Sequence, residues 1–177
     1  MRANPAEPHE VVAHERVLAL DIRLHKLGYA IFEGPQKLLD WGVMHRTGAD
    51  SSTRRRVVDL CGVFRPSVVV IRCVVKRTRE GHGSAYGSIR AAMRAMGILV
   101  DCVRQDDIRR HFSHSAVTNK YDRARAIADQ FPELSWRLPK GRRAWQSEPK
   151  RMVIFDAASS GITFFARSRE SFRRLPK

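Results

Sequence analysis

Val17-Leu18-Ala19-Leu20-Asp21-Ile22-Arg23-Leu24-His25-Lys26-Leu27-Gly28-Tyr29 opens on a short apolar strand, ends that strand at an aspartate, and returns through a glycine into a second one. The second strand, Tyr29-Ala30-Ile31-Phe32, closes at Glu33-Gly34-Pro35, and residues 37–45 supply a third. Such short connections predict an antiparallel meander, because a hairpin needs only a few residues and a parallel return needs a long crossover. Gly28 is expected to let the second strand lie close beside the first. Ser51 or Ser52 is placed to cap a helix running to about Phe64, which Arg65-Pro66 ends. Ser67-Val68-Val69-Val70-Ile71 is a continuous β-branched run, the pattern of a central strand buried on both faces.

Downstream, residues 84–96 read as a helix with Gly97 as its C-cap, and residues 98–103 as another buried strand. Helices are expected over 106–112 and 120–131. A Pro- and Arg-rich link follows over 132–150, then a final helix from Met152 to about Ala166 with Ser147 as a candidate cap. The order β-β-β-α-β-α-β-α-α-α predicts an α/β domain. Its mixed five-stranded sheet has the antiparallel meander followed by parallel strands, with helices on both faces. The reading gives one domain over 17–166, a flexible tail over 1–16 and a basic tail over 167–177.

A chain of 177 residues with 43% hydrophobic content can bury a core of its own, and its apolar runs are too short to cross a bilayer. Lys and Arg number 33 against 18 Asp and Glu, a formal charge of +15, which points to a polyanionic partner. Nucleic acid fits best, since phosphate neutralisation releases counterions. A membrane surface would call for a basic amphipathic helix with a free apolar face, which the weakly patterned 167–177 stretch does not offer. Cys61, Cys73 and Cys102 are odd in number and far apart, so they read as reduced core residues and favour a cytoplasmic location. His111 and His114 lack the cysteine pair of a zinc site.

Two acids stand out. Asp21 ends the first strand, where a carboxylate can point into the crevice beyond the sheet. Asp156 is the single acid of Met152-Val153-Ile154-Phe155-Asp156-Ala157-Ala158, an apolar stretch in which an ionised group needs a cation, an arginine or hydrogen bonds. Metal ligation is open for both, against a cap or turn role for Asp21 and a structural ion pair for Asp156.

An apolar strand ending in D-x-x-x-x-x-x-G-Y, a central buried strand and a final helix carrying D-A-A resemble the RuvC-like (Holliday junction resolvase-like) proteins of the RNase H-like superfamily. The resemblance runs from about Val17 to Phe165. It implies that Asp21 and Asp156 are metal ligands and catalytic residues, that Mg2+ or Mn2+ supports strand cleavage, often at branched DNA, and that the protein acts as a homodimer. Three departures matter. The family's D-x-G is Asp21-Ile22-Arg23 here, its central-strand glutamate is replaced within Ile71-Arg72-Cys73, and the acid one turn before the last ligand is Val153. A permanently charged, bidentate guanidinium at Arg72 is suited to neutralise Asp21 and Asp156 or to hold phosphate. Glu148 and Glu80 are the replacement acids to consider, Glu148 as the third catalytic group.

Basic residues around the expected crevice are candidate nucleic-acid contacts: Arg72, Lys76, Arg77, Arg79 and Lys120, then the stretch bearing Arg137, Lys140, Arg142, Arg143, Lys150 and Arg151. Trp136 and Trp145 interleave with the second group and offer surfaces on which unpaired bases stack. His82, between two glycines, is a candidate for proton transfer. The leading expectation is a divergent magnesium-dependent endonuclease acting on DNA. A non-catalytic nucleic-acid-binding module with Arg72 in place of the metal, and an assembly subunit with a basic face, are the alternatives.

Overall fold

The computed structural model describes residues 15–46, 50–73, 82–113, 117–139 and 149–173. Three strands open it: β1 (Arg16–Ile22), β2 (Lys26–Glu33) and β3 (Leu38–His45). Helix α1 (Asp50–Phe64), strand β4 (Val68–Cys73), helix α2 (His82–Ala95) and strand β5 (Leu99–Arg104) follow. Three helices close the chain, α3 (Gln105–Phe112), α4 (Lys120–Gln130) and α5 (Met152–Arg173), with a 3-10 turn over Pro132–Arg137 between the last two. The sheet runs β3-β2-β1-β4-β5, antiparallel across the first three strands and parallel where β4 joins β1 and β5 joins β4. This is the expected mixed sheet.

Side-chain alternation along the strands builds two cores. Val17, Ala19, Val68 and Val70 face α3, α4 and α5, and Leu18, Leu20, Val69 and Ile71 face α1 and α2. The same period of two fixes the charged positions that continue each strand. Asp21 follows Val17 and Ala19, and Arg72 follows Val68 and Val70, so both belong to the α5 face at the C-terminal edge of the parallel strands. Every residue of α5 from Met152 to Phe165 is buried, which makes it the central helix rather than a surface one. Its hydroxyls are satisfied internally: Ser159 and Ser160 donate to the Asp156 carbonyl, and Thr163 to that of Ser159.

Gly28 has a sharper reason than the expected hairpin closeness. A Cβ there would overlap the main-chain carbonyl of Val153, so glycine is what lets the start of α5 lie against β2. Gly161 serves the next contact up, where a Cβ would overlap the ring of Phe32. Gly97, at φ +71°, ends α2 as expected, with Ile98 donating back to the Met93 carbonyl.

Several expectations are corrected. Helix α1 begins at Asp50, so Ser51 and Ser52 lie in its first turn rather than before it. Helix α5 continues past Ala166 to Arg173, so the basic C-terminal stretch starts as helix. Part of the 132–150 link is wound into the 3-10 turn, anchored by buried Phe131 and Leu134. Cys73 and Cys102 are disulfide-bonded instead of reduced, with Cα atoms 5.7 Å apart, and only Cys61 is a free, buried thiol. Their separation of 29 residues hid this, because the α2 crossover returns the chain to the neighbouring strand. Glu80, Ser147, Glu148 and His114 lie outside the described residues. Among the described residues no helix is long and apolar enough to cross a membrane.

Gly28→Ala is expected to destabilise the fold by about 3 kcal/mol through overpacking against the α5 backbone. Gly87→Ala, in α2 with nothing within 4 Å of an added Cβ, is expected to stabilise by roughly 0.5–1 kcal/mol. Urea unfolding of the two variants beside wild type checks both signs.

Candidate functional site

Asp21 and Asp156 meet where the sheet edge crosses α5, and both are almost fully buried, 1% and 0% exposed. Four cations close on them. Arg23, in the turn between β1 and β2, donates from Nε to Asp21 Oδ2 at 2.7 Å and from Nη2 to Asp156 Oδ2. Arg72 bridges the same pair from β4, with Nη1 3.1 Å from Asp21 Oδ1 and 3.4 Å from Asp156 Oδ2. From α4, Arg123 Nη2 lies 2.7 Å from Asp156 Oδ1 and Lys120 Nζ 3.3 Å from Oδ2. Lys120 and Arg123 are one helical turn apart and so share a face of α4.

Local structure explains the convergence. Asp21 pairs with Gly28 across the hairpin, and the parallel register sets Leu20 beside Ile71, one residue before Asp21 and Arg72 respectively. The hairpin turn is held by Arg46, 8% exposed, which donates to the Arg23 carbonyl and, at 3.0 Å, to Thr53 Oγ1. That clamp positions the Arg23 backbone so that its side chain points back over the two acids.

The carboxyls differ in their balance of forces. Burial pushes Asp156 up, but Arg72, Lys120, Arg123 and Arg23 together outweigh it and hold the group below its usual value of 3.8. Burial also raises Asp21, and there Arg72 and Arg23 offset it incompletely, with the Asp156 charge adding to the rise. Four cations against two carboxylates leave a surplus of two positive charges in the cluster.

A divalent ion fits this arrangement poorly. It takes several oxygen ligands, and here both carboxylates already accept from guanidinium or ammonium groups. Among the described residues no group of three or more His, Cys, Asp or Glu side chains is placed to hold a metal. Arg72 stands where the resemblance calls for an acid, and it ties the two remaining acids together.

The chain matches Thermus thermophilus RuvC in complex with Holliday junction substrate, with TM-score 0.64 and 20% identity over 87% of this chain and 96% of that one. It matches the yeast mitochondrial Holliday junction resolvase at TM-score 0.64 and 14% identity, over 93% of this chain and 84% of that one. The Fowlpox virus resolvase, solved with substrate Holliday junction DNA, gives TM-score 0.57 and 12% identity, over 85% and 99%. This chain has the RuvC fold. No family model and no curated protein matches its sequence.

On the RuvC fold, the described candidate residues divide into three places. Asp21, Asp156, Arg72 and Lys120 come together in the buried cluster. Lys150 and Arg151 are exposed in the turn that leads into α5. Arg137 and Trp136 lie beyond the far end of α4, whose eleven residues span about 16 Å. There the Arg137 guanidinium sits 3.8 Å from the centre of the Trp136 ring, which is 62% exposed. Lys76, Arg77, Arg79, Lys140, Arg142, Arg143, Trp145 and Glu148 fall outside the described residues. Sequence reading did not anticipate Arg23 and Arg123 as partners of the acids. Signals for both were present: an arginine at the last position of the family's D-x-G, and the K-x-x-R spacing of Lys120 and Arg123.

Asp156→Asn leaves buried cations without their anion and is expected to cost about 3–5 kcal/mol of stability. Because Asp156 is depressed in the folded state, its contribution is fully present above its usual value of 3.8 and is lost as the pH falls below it. Asp21, being raised, works with the opposite sign on the acid side of neutrality. Urea unfolding from pH 7 to pH 2 should therefore show a loss in acid that is smaller in Asp156→Asn than in wild type, the remainder coming from Glu33 and Asp122, which their own partners also hold low.

Proposed function

We propose that this chain is a nucleic-acid-binding protein, with branched DNA as its preferred ligand, that works through side-chain cations and not through a metal-dependent cutting centre. The observation that carries this is the commitment of both buried acids to Arg23, Arg72, Lys120 and Arg123. A divalent ion entering there would join a cluster already carrying surplus positive charge, and would have to displace hydrogen-bonded guanidiniums from a buried site. The net charge of +15 supports a polyanionic ligand, and the exposed Trp136 with its stacked Arg137 supports contact with an unpaired base. Branched DNA is favoured because the structures sharing this fold are Holliday junction resolvases, two of them solved with junction DNA. The resemblance also supports a homodimer as the acting species.

Those same neighbours keep a second reading in play, a magnesium- or manganese-dependent endonuclease using Asp21, Asp156 and Glu148. It would require Arg23 and Arg72 to leave the two acids before metal could enter.

Labelled four-way junction, duplex and single-stranded DNA, and RNA, incubated with magnesium, manganese or chelator, separate the two readings. Binding is expected to survive chelator, to favour the junction and to weaken linearly in log-log form with salt. Substituting Lys150 or Arg151 by Ala should reduce that slope by about 1 each. No cutting is expected, and Arg72→Glu should not create it, because Arg23, Lys120 and Arg123 still occupy the remaining acids. Metal-dependent cutting that Asp21→Asn abolishes would overturn the binding-only reading.

A further inference from the structure

Beside the cationic cluster lies a crevice of about 520 Å³ between α3, residues 117–119 and the start of α4. Arg72, Lys120 and Arg123 line it together with Arg109 and Gln105, and its described lining residues include no carboxylate. Neither Asp21 nor Asp156 is among its lining residues. Two polar atoms near it are buried without a hydrogen-bond partner in the structure, Arg72 Nε and Gln105 Oε1. A buried donor left unmade is costly, and rotating the Gln105 amide presents its NH2 in place of its oxygen. Phe112 and Val117 form an apolar wall. The crevice thus combines surplus positive charge, an unsatisfied guanidinium N–H on one lining residue, and a volume within the range of pockets that enclose small ligands.

We propose that this crevice is a phosphate pocket, in which Arg72, Arg109, Lys120 and Arg123 hold one phosphate group while its attached sugar lies against Phe112 and Val117. It rests on the nucleic-acid reading for the biological source of that phosphate, but not for the chemistry of the pocket. In this arrangement Arg72 and Arg123 serve two anions at once, the buried carboxylates and the phosphate. The surplus charge that the two acids leave over is what the phosphate neutralises. Arg109 is the crevice cation that can be removed without disturbing the cluster. It is exposed, and its ion pair is a 3.6 Å contact with equally exposed Asp106.

Sodium phosphate titrated into the full chain, with sodium chloride balancing the ionic strength, tests the pocket through the melting temperature and by calorimetry. Saturable binding is expected, about tenfold weaker in Arg109→Ala and in Gln105→Ala, as the loss of one charge-assisted or buried hydrogen bond implies. Arg94→Ala, which removes one exposed positive charge from α2, should leave it unchanged. Phosphate that acts no differently from chloride, or Arg94→Ala weakening it as much as Arg109→Ala, would overturn the proposal. Oligonucleotides with a 5′-phosphate or a 5′-hydroxyl then identify the source. Tighter binding of the phosphorylated strand assigns a terminal phosphate, and equal binding with competition by free phosphate assigns the backbone. Junction DNA that binds wild type and Arg109→Ala alike, when phosphate does not bind, overturns the pocket and leaves the nucleic-acid reading standing. Phosphate binding that needs Arg109, in a protein with no affinity for DNA or RNA, does the reverse.

Discussion

Burying a carboxylate is among the costliest things a fold can do, and this one buries two within reach of the same pair of arginines. The attraction that offsets this comes from three separate pieces of chain: the β1–β2 turn, the end of β4 and the first turn of α4. Each cation reaches the acids only if its own element is correctly seated. The cluster therefore sets the position of α4 and of the hairpin turn relative to α5. Apolar packing alone, being non-directional, specifies such relations less sharply. A buried ion pair is weak evidence of net stability, so its clearer effect here is to select one arrangement of these elements.

The cluster in turn depends on how closely α5 approaches the sheet. Gly28, under the first turn of α5, and Gly161, within its third turn and facing Phe32, are the two points at which a single methyl group would lift the helix. With the helix that low, Asp156 is brought beside Asp21, and the hydroxyls of Ser159, Ser160 and Thr163 must turn inward to helix carbonyls for want of water.

Much of this was legible in the sequence because it is local. Short apolar runs identified all five strands, and turn residues placed their ends to within about three residues, the start of β2 being the widest miss, since both follow from short-range sterics. Asp21 and Asp156 stood out because an acid amid apolar neighbours is anomalous wherever it occurs. Their partners were harder to read. Arg23 lies 133 residues from Asp156 and Arg123 33 residues from it, and no local pattern says which of 33 basic side chains will meet a given acid. Arg72 was accessible to reasoning because it stands where the RuvC-like resemblance calls for an acid. The Cys73–Cys102 bond was missed for the same reason as Arg123: proximity arose from a crossover that spacing does not encode. The further role of Gly28 was out of reach because the neighbour it accommodates, Val153, is contributed from the far end of the chain.

The four-to-two arrangement of charges also constrains how this sequence can change. Exchanging Asp156 for a neutral or cationic group leaves the arginines around it without their shared anion, a penalty of about 3–5 kcal/mol against the stability margin of about 5–15 kcal/mol of an ordinary domain. A centre built of acids and one built of arginines are then separated by a valley that single substitutions cross only at the risk of unfolding. Several positions must move together, or the surrounding fold must first gain stability from elsewhere. The cluster acts as a ratchet: once assembled, its composition is protected by the energetics of its own intermediates, whatever becomes of the surface around it.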